Sequence, residues 1–406
     1  MKLTSIGLIP EDWDAISLSK VGVFGKGSGV TRANAQSGNI PCIRYGEIYT
    51  SHNDYIKTFY SHISPEIAST ATKLKKGDVL FAGSGETKEE IGKAVAFLGD
   101  EDAYAGGDII ILSPNMESSS MYLGYVLNSK SAVAQKASMG QGDAVVHIHA
   151  KELADVVIPW PKVEEQERIA DALSSMDALI SGLDEAIEKK RQIKEGLMQN
   201  LLTGRARLPG FNEKWIDVRL RDVCMMNSGG TPSTSDPHFY GGDILFLSIS
   251  DMTNSGKYIY STEKRITEDG YNCSSARMFP AGTLMYAMYA SLGKCSITKV
   301  DVAVSQAILG FHSLKNIDTE YLYYYLASIE KSVKQTGQTG TQSNLSKNIV
   351  ENFQLAIPSL EEQQAIASLL RTVDDDIDCC ITKREKYNLI KQGMMQELLT
   401  GKTRLI

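Results

Sequence analysis

One stretch of this chain occurs twice. Val163-Glu164-Glu165-Gln166-Glu167-Arg168-Ile169-Ala170 returns 197 residues later as Leu360-Glu361-Glu362-Gln363-Gln364-Ala365-Ile366-Ala367. At the same offset and without a gap, Leu197-Met198-Gln199-Asn200-Leu201-Leu202-Thr203-Gly204 returns as Met394-Met395-Gln396-Glu397-Leu398-Leu399-Thr400-Gly401. Arg207-Leu208 then matches Arg404-Leu405. A repeat of this kind constrains architecture more than any composition does, because each copy must be built as the same unit. Weaker matches extend it. Leu123–Ser129 resembles Leu322–Ser328, both lead to an Ile-Pro pair (Ile158-Pro159, Ile357-Pro358), and Trp13, Leu18 and Val21 line up with Trp215, Leu220 and Val223. The layout is domain 1–160, helix 161–204, domain 205–358, helix 359–406.

The repeated segments carry a helical pattern. Ile169, Leu173, Met176, Ile180, Leu183 and Ile187 recur at spacings of four and three, and Ile366, Leu370, Val373 and Ile377 keep the same frame. Such a stripe specifies a coiled-coil seam. Ser359 with Glu362 forms a capping-box pattern at the second start. Gly204 and Gly401 stand where a left-handed C-terminal glycine belongs. About 40 residues at 1.5 Å each make a rod of roughly 60 Å.

Outside the helices, short β-rich runs such as Asp78–Ala82, Asp108–Leu112, Asp243–Leu247, Thr283–Met288 and Ala303–Leu309 alternate with Gly, Ser, Thr and Pro loops. The fold class expected is mixed α/β (α+β). Two globular domains, related by a pseudo-twofold internal repeat, are held apart by two long antiparallel coiled-coil helices.

Composition narrows the function. No apolar run approaches the roughly 20 residues that span a bilayer, and the first ten residues lack the pattern of a secretory signal, so a cytoplasmic location is expected. The six cysteines have no zinc-like spacing. His147 and His149 lack a nearby third ligand and read as strand residues, so no metal is expected. The 42 Lys+Arg against 49 Asp+Glu give a net charge of −7, which argues against an indiscriminate DNA binder. The balance is uneven: 14 basic against 18 acidic residues in 1–160, but 15 against 14 in 205–357.

The chain resembles the specificity (S) subunits of Type I restriction-modification systems. The resemblance rests on Ser228-Gly229-Gly230-Thr231-Pro232-Ser233 with Tyr240-Gly241-Gly242-Asp243, on Leu247–Met252 and Lys76–Phe81, and on Ile357-Pro358 followed by Glu361-Glu362-Gln363. The paired helix endings Leu201–Gly204 and Leu398–Gly401 complete it. In the first half Gly25-Lys26-Gly27-Ser28-Gly29 stands in place of Ser-Gly-Gly-Thr-Pro. The resemblance implies that each domain is a target-recognition domain reading one part of a bipartite double-stranded DNA site, with the helices fixing the unread spacer. It also implies docking of two methyltransferase (M) subunits, which carry S-adenosylmethionine and the catalytic motif, with restriction (R) subunits able to join. No catalytic residue and no cofactor are then expected in this chain.

Loops rich in Gln, Ser, Thr, Asn and Arg amid glycines bring backbone close to phosphate and point amides at base edges. The residues expected at DNA are Lys26, Ser28, Arg32, Arg44, Tyr45, Ser84, Lys88 and Gln141 in the first domain. In the second they are Ser228, Thr231, Ser248, Tyr286, Tyr289, Ser291, Gln338, Thr341 and Gln342, with Gln335–Asn344 the strongest single loop. Arg44 and Tyr45 fit a structural role in a strand equally well, and the tyrosines at 321 and 323–325 fit helix packing. Glu165, Gln166, Glu362 and Gln363, at matched positions, are expected to meet M subunits; a solvated first turn complementing the helix dipole is the alternative. Two rival functions remain. Asp78 with Glu86-Thr87-Lys88 resembles a magnesium-nuclease constellation, and the whole chain could instead be a protein-binding scaffold. No GxxxxGK[ST] phosphate loop supports a motor.

Overall fold

The computed structural model describes residues 1–142, 145–338 and 344–405. Its longest elements are two 39-residue helices, Val163–Leu201 and Leu360–Leu398. Among the described residues, no helix is long and apolar enough to cross a membrane. The chain divides into two compact units, residues 1–184 with 382–406, and residues 185–381. The division cuts both long helices. Each unit thus owns one β-rich domain, the start of one helix and the end of the other.

That exchange makes the helix pairing antiparallel. In the first unit Ile169 and Leu173 share a core with Leu398 and Leu399, flanked by Met394 and Met395. In the second, Ile366 and Leu370 share a core with Leu201 and Leu202, flanked by Leu197 and Met198. The expected stripe is buried most deeply at Ile169, Leu173, Ile366 and Leu370, where it also meets a domain core. Ile187 and Ile377 are buried too, while Met176, Ile180, Leu183 and Val373 are half-buried.

Beside each pair of ends sits an ion pair with a buried carboxylate and a partly exposed arginine. Arg404, just past the second helix, grips Glu165 in the first turn of the first helix through two bonds of 2.6 and 2.8 Å. Trp13 Nε1 donates to the same carboxylate at 2.9 Å, and the guanidinium lies 5.4 Å from the Trp13 ring centre. In the second unit Arg207 grips Glu362 through two bonds of 2.6 Å and lies 5.6 Å from the Trp215 ring centre. The neighbouring glutamines close the joint. Gln166 accepts from the Ser119 amide and donates to the Pro161 carbonyl; Gln363 accepts from the Asp318 amide and donates to the Pro358 carbonyl. Gly401 (φ +68°) leaves the helix against Pro10 and Trp13, where a Cβ would collide. The repeated sequence motif is therefore the two halves of one latch, and each latch joins residues from both repeats.

This corrects the expectation that Glu165, Gln166, Glu362 and Gln363 face a partner. All four are at most 7% exposed and spend their hydrogen-bonding groups inside the chain. The capping box at Ser359 is half-made. Its hydroxyl accepts from the Glu362 amide at 3.4 Å, while the Glu362 carboxylate goes to Arg207.

A second pair of matched contacts lies one helical stretch further along. Tyr125 donates to Asp177 at 2.6 Å, and Lys391 bridges Asp177 and Asp54 at 2.7 and 2.8 Å. Tyr324 donates to Asp374 at 2.6 Å, and Lys194 pairs with the same carboxylate at 2.5 Å.

The two domains share a sheet plan. The first has a four-stranded sheet in the order Ala94–Ala96, Val79–Ala82, Ile109–Pro114, Gly22–Lys26. The second repeats it as Cys295–Thr298, Leu284–Ala287, Ile308–His312, Met225–Ser228, with Tyr258–Ile259 added beyond the first of these. A smaller four-stranded sheet accompanies each: Ser61–Ile63, Ile40–Ile43, Tyr104–Ala105, Thr72–Lys73, and Lys264–Ile266, Tyr240–Leu247, Val302–Val304, Arg277–Phe279. The apolar run 303–309, read from sequence as one strand, is thus two strands in different sheets. Tyr321 and Tyr324 are buried in the second core.

Lys136 is the exception in the first core. Its ammonium is fully buried, donates to the Gly92 and Leu127 carbonyls at 2.6 and 2.8 Å, and has no carboxylate partner among the described residues. Burial pushes its pKa down from 10.5 to about 7.

Two outcomes are expected. Removing the arginine strands a buried carboxylate without its partner, which destabilises the fold. Glu165 keeps the Trp13 donor when Arg404 is lost, whereas Arg207 supplies both side-chain bonds to the Glu362 carboxylate. Urea unfolding should therefore show Arg207→Ala more destabilising than Arg404→Ala; the reverse order would refute the latch energetics. For Lys136, the unfolded chain binds the proton more readily than the folded one between about pH 7 and 10.5. Stability should then rise with pH through that window and fall as pH drops towards 7. Comparing urea midpoints at several pH values across that range should give a steeper rise for the wild type than for Lys136→Met, and equal slopes would count against it.

Candidate nucleic-acid interface

The expected contact loops of the first domain leave from one end of its larger sheet. Between the strands Tyr104–Ala105 and Ile109–Pro114, a short crossing joins the two sheets, and neighbouring loops bond to it through their backbones. Gly27 donates to Ile109, Ser28 to Ala105, Gly106 to Ile43 and Gly83 to Asp108, at 2.8–3.0 Å. The crossing is tight enough to hold Asp108 at φ +61°, a conformation that costs a non-glycine residue of order 1 kcal/mol. A Cβ on Gly27 would strike the Gly106 carbonyl, so only glycine lets this loop approach.

The second domain repeats the knot with other residues. Gly229 donates to Ser305 and Met288 to Ala307, at 3.2 and 2.9 Å, between the strands Val302–Val304 and Ile308–His312. A Cβ on Gly229 would strike the Val304 carbonyl. Thr231 Oγ1 donates to Gln306 Oε1 at 2.9 Å, tying the Gly-Gly-Thr loop to the crossing. The hairpin tip with Tyr289 and Ser291 is strained at Ala290 (φ +54°).

Several expected residues gather on these knots. Lys26 and Ser28 flank Gly27, both exposed, with Ser28 Oγ 2.9 Å from Thr72 Oγ1. Ser84 Oγ lies 2.9 Å from His147 Nδ1, and His147 exchanges two backbone bonds with Gln141, so Ser84 and Gln141 share one corner. Ser228 flanks Gly229, and Tyr289 is exposed. Arg32 and Lys88 are also exposed, on the loops following the knot. Glu86, Glu89 and Glu90 are exposed beside Lys88. The rims therefore offer amides, hydroxyls and mixed charge rather than a uniform basic face.

Other expectations are corrected. Tyr286 is fully buried in a strand whose four residues are all buried, edge-on to Phe311 and Phe353. It is a core residue and cannot reach a groove. Arg44 pairs with Glu47 at 2.9 Å and bonds Ser61, and Ser248 donates to Asp251 at 2.6 Å. Both cap the short helices that follow, Tyr45–Thr50 and Ile249–Ser255, which leaves exposed Tyr45 as the freer contact. Ser291 Oγ lies 3.4 Å from Thr253 Oγ1. The run 335–344 is not simply a loop, since the helix Thr319–Gln338 continues through its start. The Gln338 side chain, Thr341 and Gln342 lie outside the described residues.

The nuclease constellation does not assemble. Asp78 accepts from the Lys75 amide and Ser113 Oγ at the start of the strand Val79–Ala82, whereas Glu86 and Lys88 follow its far end. Among the described residues no group of three or more His, Cys, Asp or Glu side chains could hold a metal ion.

Sequence reasoning missed both crossings, the role of the two recurring arginines and the Tyr–Asp–Lys contacts. One signal for the last was present. Ile193-Lys194 and Gly196 recur as Ile390-Lys391 and Gly393 within the repeat.

Comparison with known proteins agrees with this geometry. A family model described as the Type I restriction modification DNA specificity domain matches twice, over residues 10–191 and 212–392. The Type I restriction enzyme MjaVIII specificity subunit of Methanocaldococcus jannaschii is 26% identical, covering 98% of this chain and 94% of its own length. The crystal structure of an S subunit from M. genitalium shares the fold, with a TM-score of 0.61 at 14% identity over 98% of each chain. A second solved chain, from work on assembly of the type I system, has a TM-score of 0.63 at 18% identity, covering 98% of this chain and all of its own. With the domain matched twice over most of its length, the chain belongs to the Type I restriction-modification DNA specificity family.

Proposed function

We propose that this chain directs a Type I restriction-modification complex to a bipartite, asymmetric double-stranded DNA site with a fixed spacer. The observation that carries the reading is one backbone knot built twice with different side chains around it. Gly25-Lys26-Gly27-Ser28 surrounds the first knot and Asn227-Ser228-Gly229-Gly230-Thr231 the second. Equal scaffolds with unequal readers suit two half-sites of different sequence. Hydroxyl and amide groups held on a fixed backbone can discriminate base edges, while phosphate contacts set register. Joining two readers raises the effective concentration of the second once the first is bound, but only at one separation.

The chain itself carries out no chemical step in this reading. S-adenosylmethionine and methyl transfer belong to two partner M subunits, R subunits can join, and the assembly works in the cytoplasm. The latches occupy Glu165, Gln166, Glu362 and Gln363, so the partner surface shifts to exposed residues that both helices share. Ile193 and Ile390 are 49% and 38% exposed, and Gln199 and Gln396 are exposed as well. Identical exposed residues on the two repeats suit two copies of one partner.

Methylation sequencing of cells carrying this chain with its methyltransferase, against cells lacking only this chain, tests the reading. A methylated two-part motif with a constant gap should disappear on deletion. If none depends on the chain while the methyltransferase is active, the scaffold reading takes over. For the partner surface, Ile193→Glu with Ile390→Glu should lower the number of M subunits retained in size-exclusion light scattering, and an unchanged complex mass would reject it.

A further inference from the structure

A cluster of cationic side chains adjoins the second knot and has no role in the fold described above. Asn227 lies on the edge strand Met225–Ser228, diagonally across from His312 on the strand Ile308–His312. With its amide turned to satisfy its neighbours, Asn227 donates to the Met226 carbonyl at 3.1 Å. Its own oxygen accepts from Arg277 Nη1 at 2.9 Å and His312 Nε2 at 2.6 Å. Two donors on one oxygen bring the guanidinium and the imidazole side by side. Lys347 begins the short helix Lys347–Glu351, which packs against the strand Met225–Ser228. Protonation of His312 is disfavoured first by burial and then by Arg277 and Lys347, with no carboxylate acting the other way. Among the described residues neither Arg277 nor His312 has an ion-pair partner, and Lys347 has Glu351 at 3.4 Å.

The position is as telling as the charge. A Cβ on Gly229 would touch the Arg277 backbone nitrogen, so Arg277 borders the glycine turn that carries Thr231. Arg277 and Lys347 are exposed. At the matching sites of the first domain stand Thr72, which pairs with Ala105 as Arg277 pairs with Val304, and Ser113, which opposes Val23 as His312 opposes Met225. Ser113 is bonded to Asp78 there. The feature therefore belongs to one domain and not to the shared scaffold.

We propose that Arg277, oriented by Asn227, together with Lys347 seats a backbone phosphate of bound duplex beside the second knot. The inference rests on the reading of this chain as a DNA-recognition subunit. A guanidinium offers paired donors to a phosphodiester and an ammonium adds a second positive charge, while His312, whose Nε2 donor is spent on Asn227, helps to fix the oxygen that orients Arg277. Contacts of this kind set register and carry salt dependence without reading sequence.

The test uses the chain complexed with its methyltransferase, binding by fluorescence anisotropy to a duplex with its methylated motif and to a scrambled duplex. Salt is varied between about 50 and 200 mM. In Arg277→Gln with Lys347→Gln, affinity for both duplexes should fall by the same factor, roughly tenfold. The slope of log affinity against log salt should become shallower by about two. The methylated motif should not change. Arg277→Lys keeps a charge at the site and should retain the parent slope. An unchanged slope in the double variant, or a loss confined to the motif duplex, would overturn the phosphate seat while leaving the broader reading intact. If the wild-type complex does not prefer its motif over the scrambled duplex, the DNA-recognition reading itself fails, and the seat with it.

Discussion

Everything else in the molecule leans on the exchange of helix ends. Glu165 begins one helix and Arg404 follows the other, yet they close one unit; Glu362 and Arg207 do the same for the second. A bidentate pair on a buried carboxylate adds little net stability over an apolar pair of the same shape, but losing the arginine leaves that carboxylate without its partner. Its effect is specificity of pairing. An antiparallel seam of Ile and Leu could slide by one turn, whereas a carboxylate with one guanidinium partner has a single register. The Tyr125–Asp177–Lys391 and Tyr324–Asp374–Lys194 contacts add a second check further along each pair of helices.

Against this constancy the domains are free to differ. Their loops hang from backbone-to-backbone bonds at the sheet crossings, and those bonds are indifferent to side chains. Gly27 and Gly229 are the exceptions, fixed by the approach of a carbonyl. Around them Lys26 and Ser228 flank the glycines, while Ser28 and Thr231 add side-chain ties to Thr72 and Gln306.

The helices were legible because their period and their repetition report the same thing. An a/d pattern repeated along two 39-residue helices needs no tertiary information. The latches were half-legible. Their residues stood out by recurrence, yet sequence alone gave Glu165 and Glu362 an outward role, because acidic first-turn residues usually face solvent. Burial by a partner 239 residues away is not a local property. The knots were illegible for another reason. A continuous apolar run such as 303–309 looks like one strand, and the change of sheet within it is decided by hydrogen bonds from distant loops. Tyr286 was misjudged alike, its polar handle suggesting a surface while its strand neighbours are all core.

The latch on Glu165 also sets a timetable. During synthesis at about 5–20 residues per second, the first domain emerges with its helix start exposed and its closing arginine still untranslated. Some tens of seconds separate the two. Through that interval Ile169 and Leu173 lack Leu398 and Leu399, the residues that will cover them. The first domain to be made is thus the last to be finished, and the nascent chain carries an uncovered apolar stripe that only its own far end can cover.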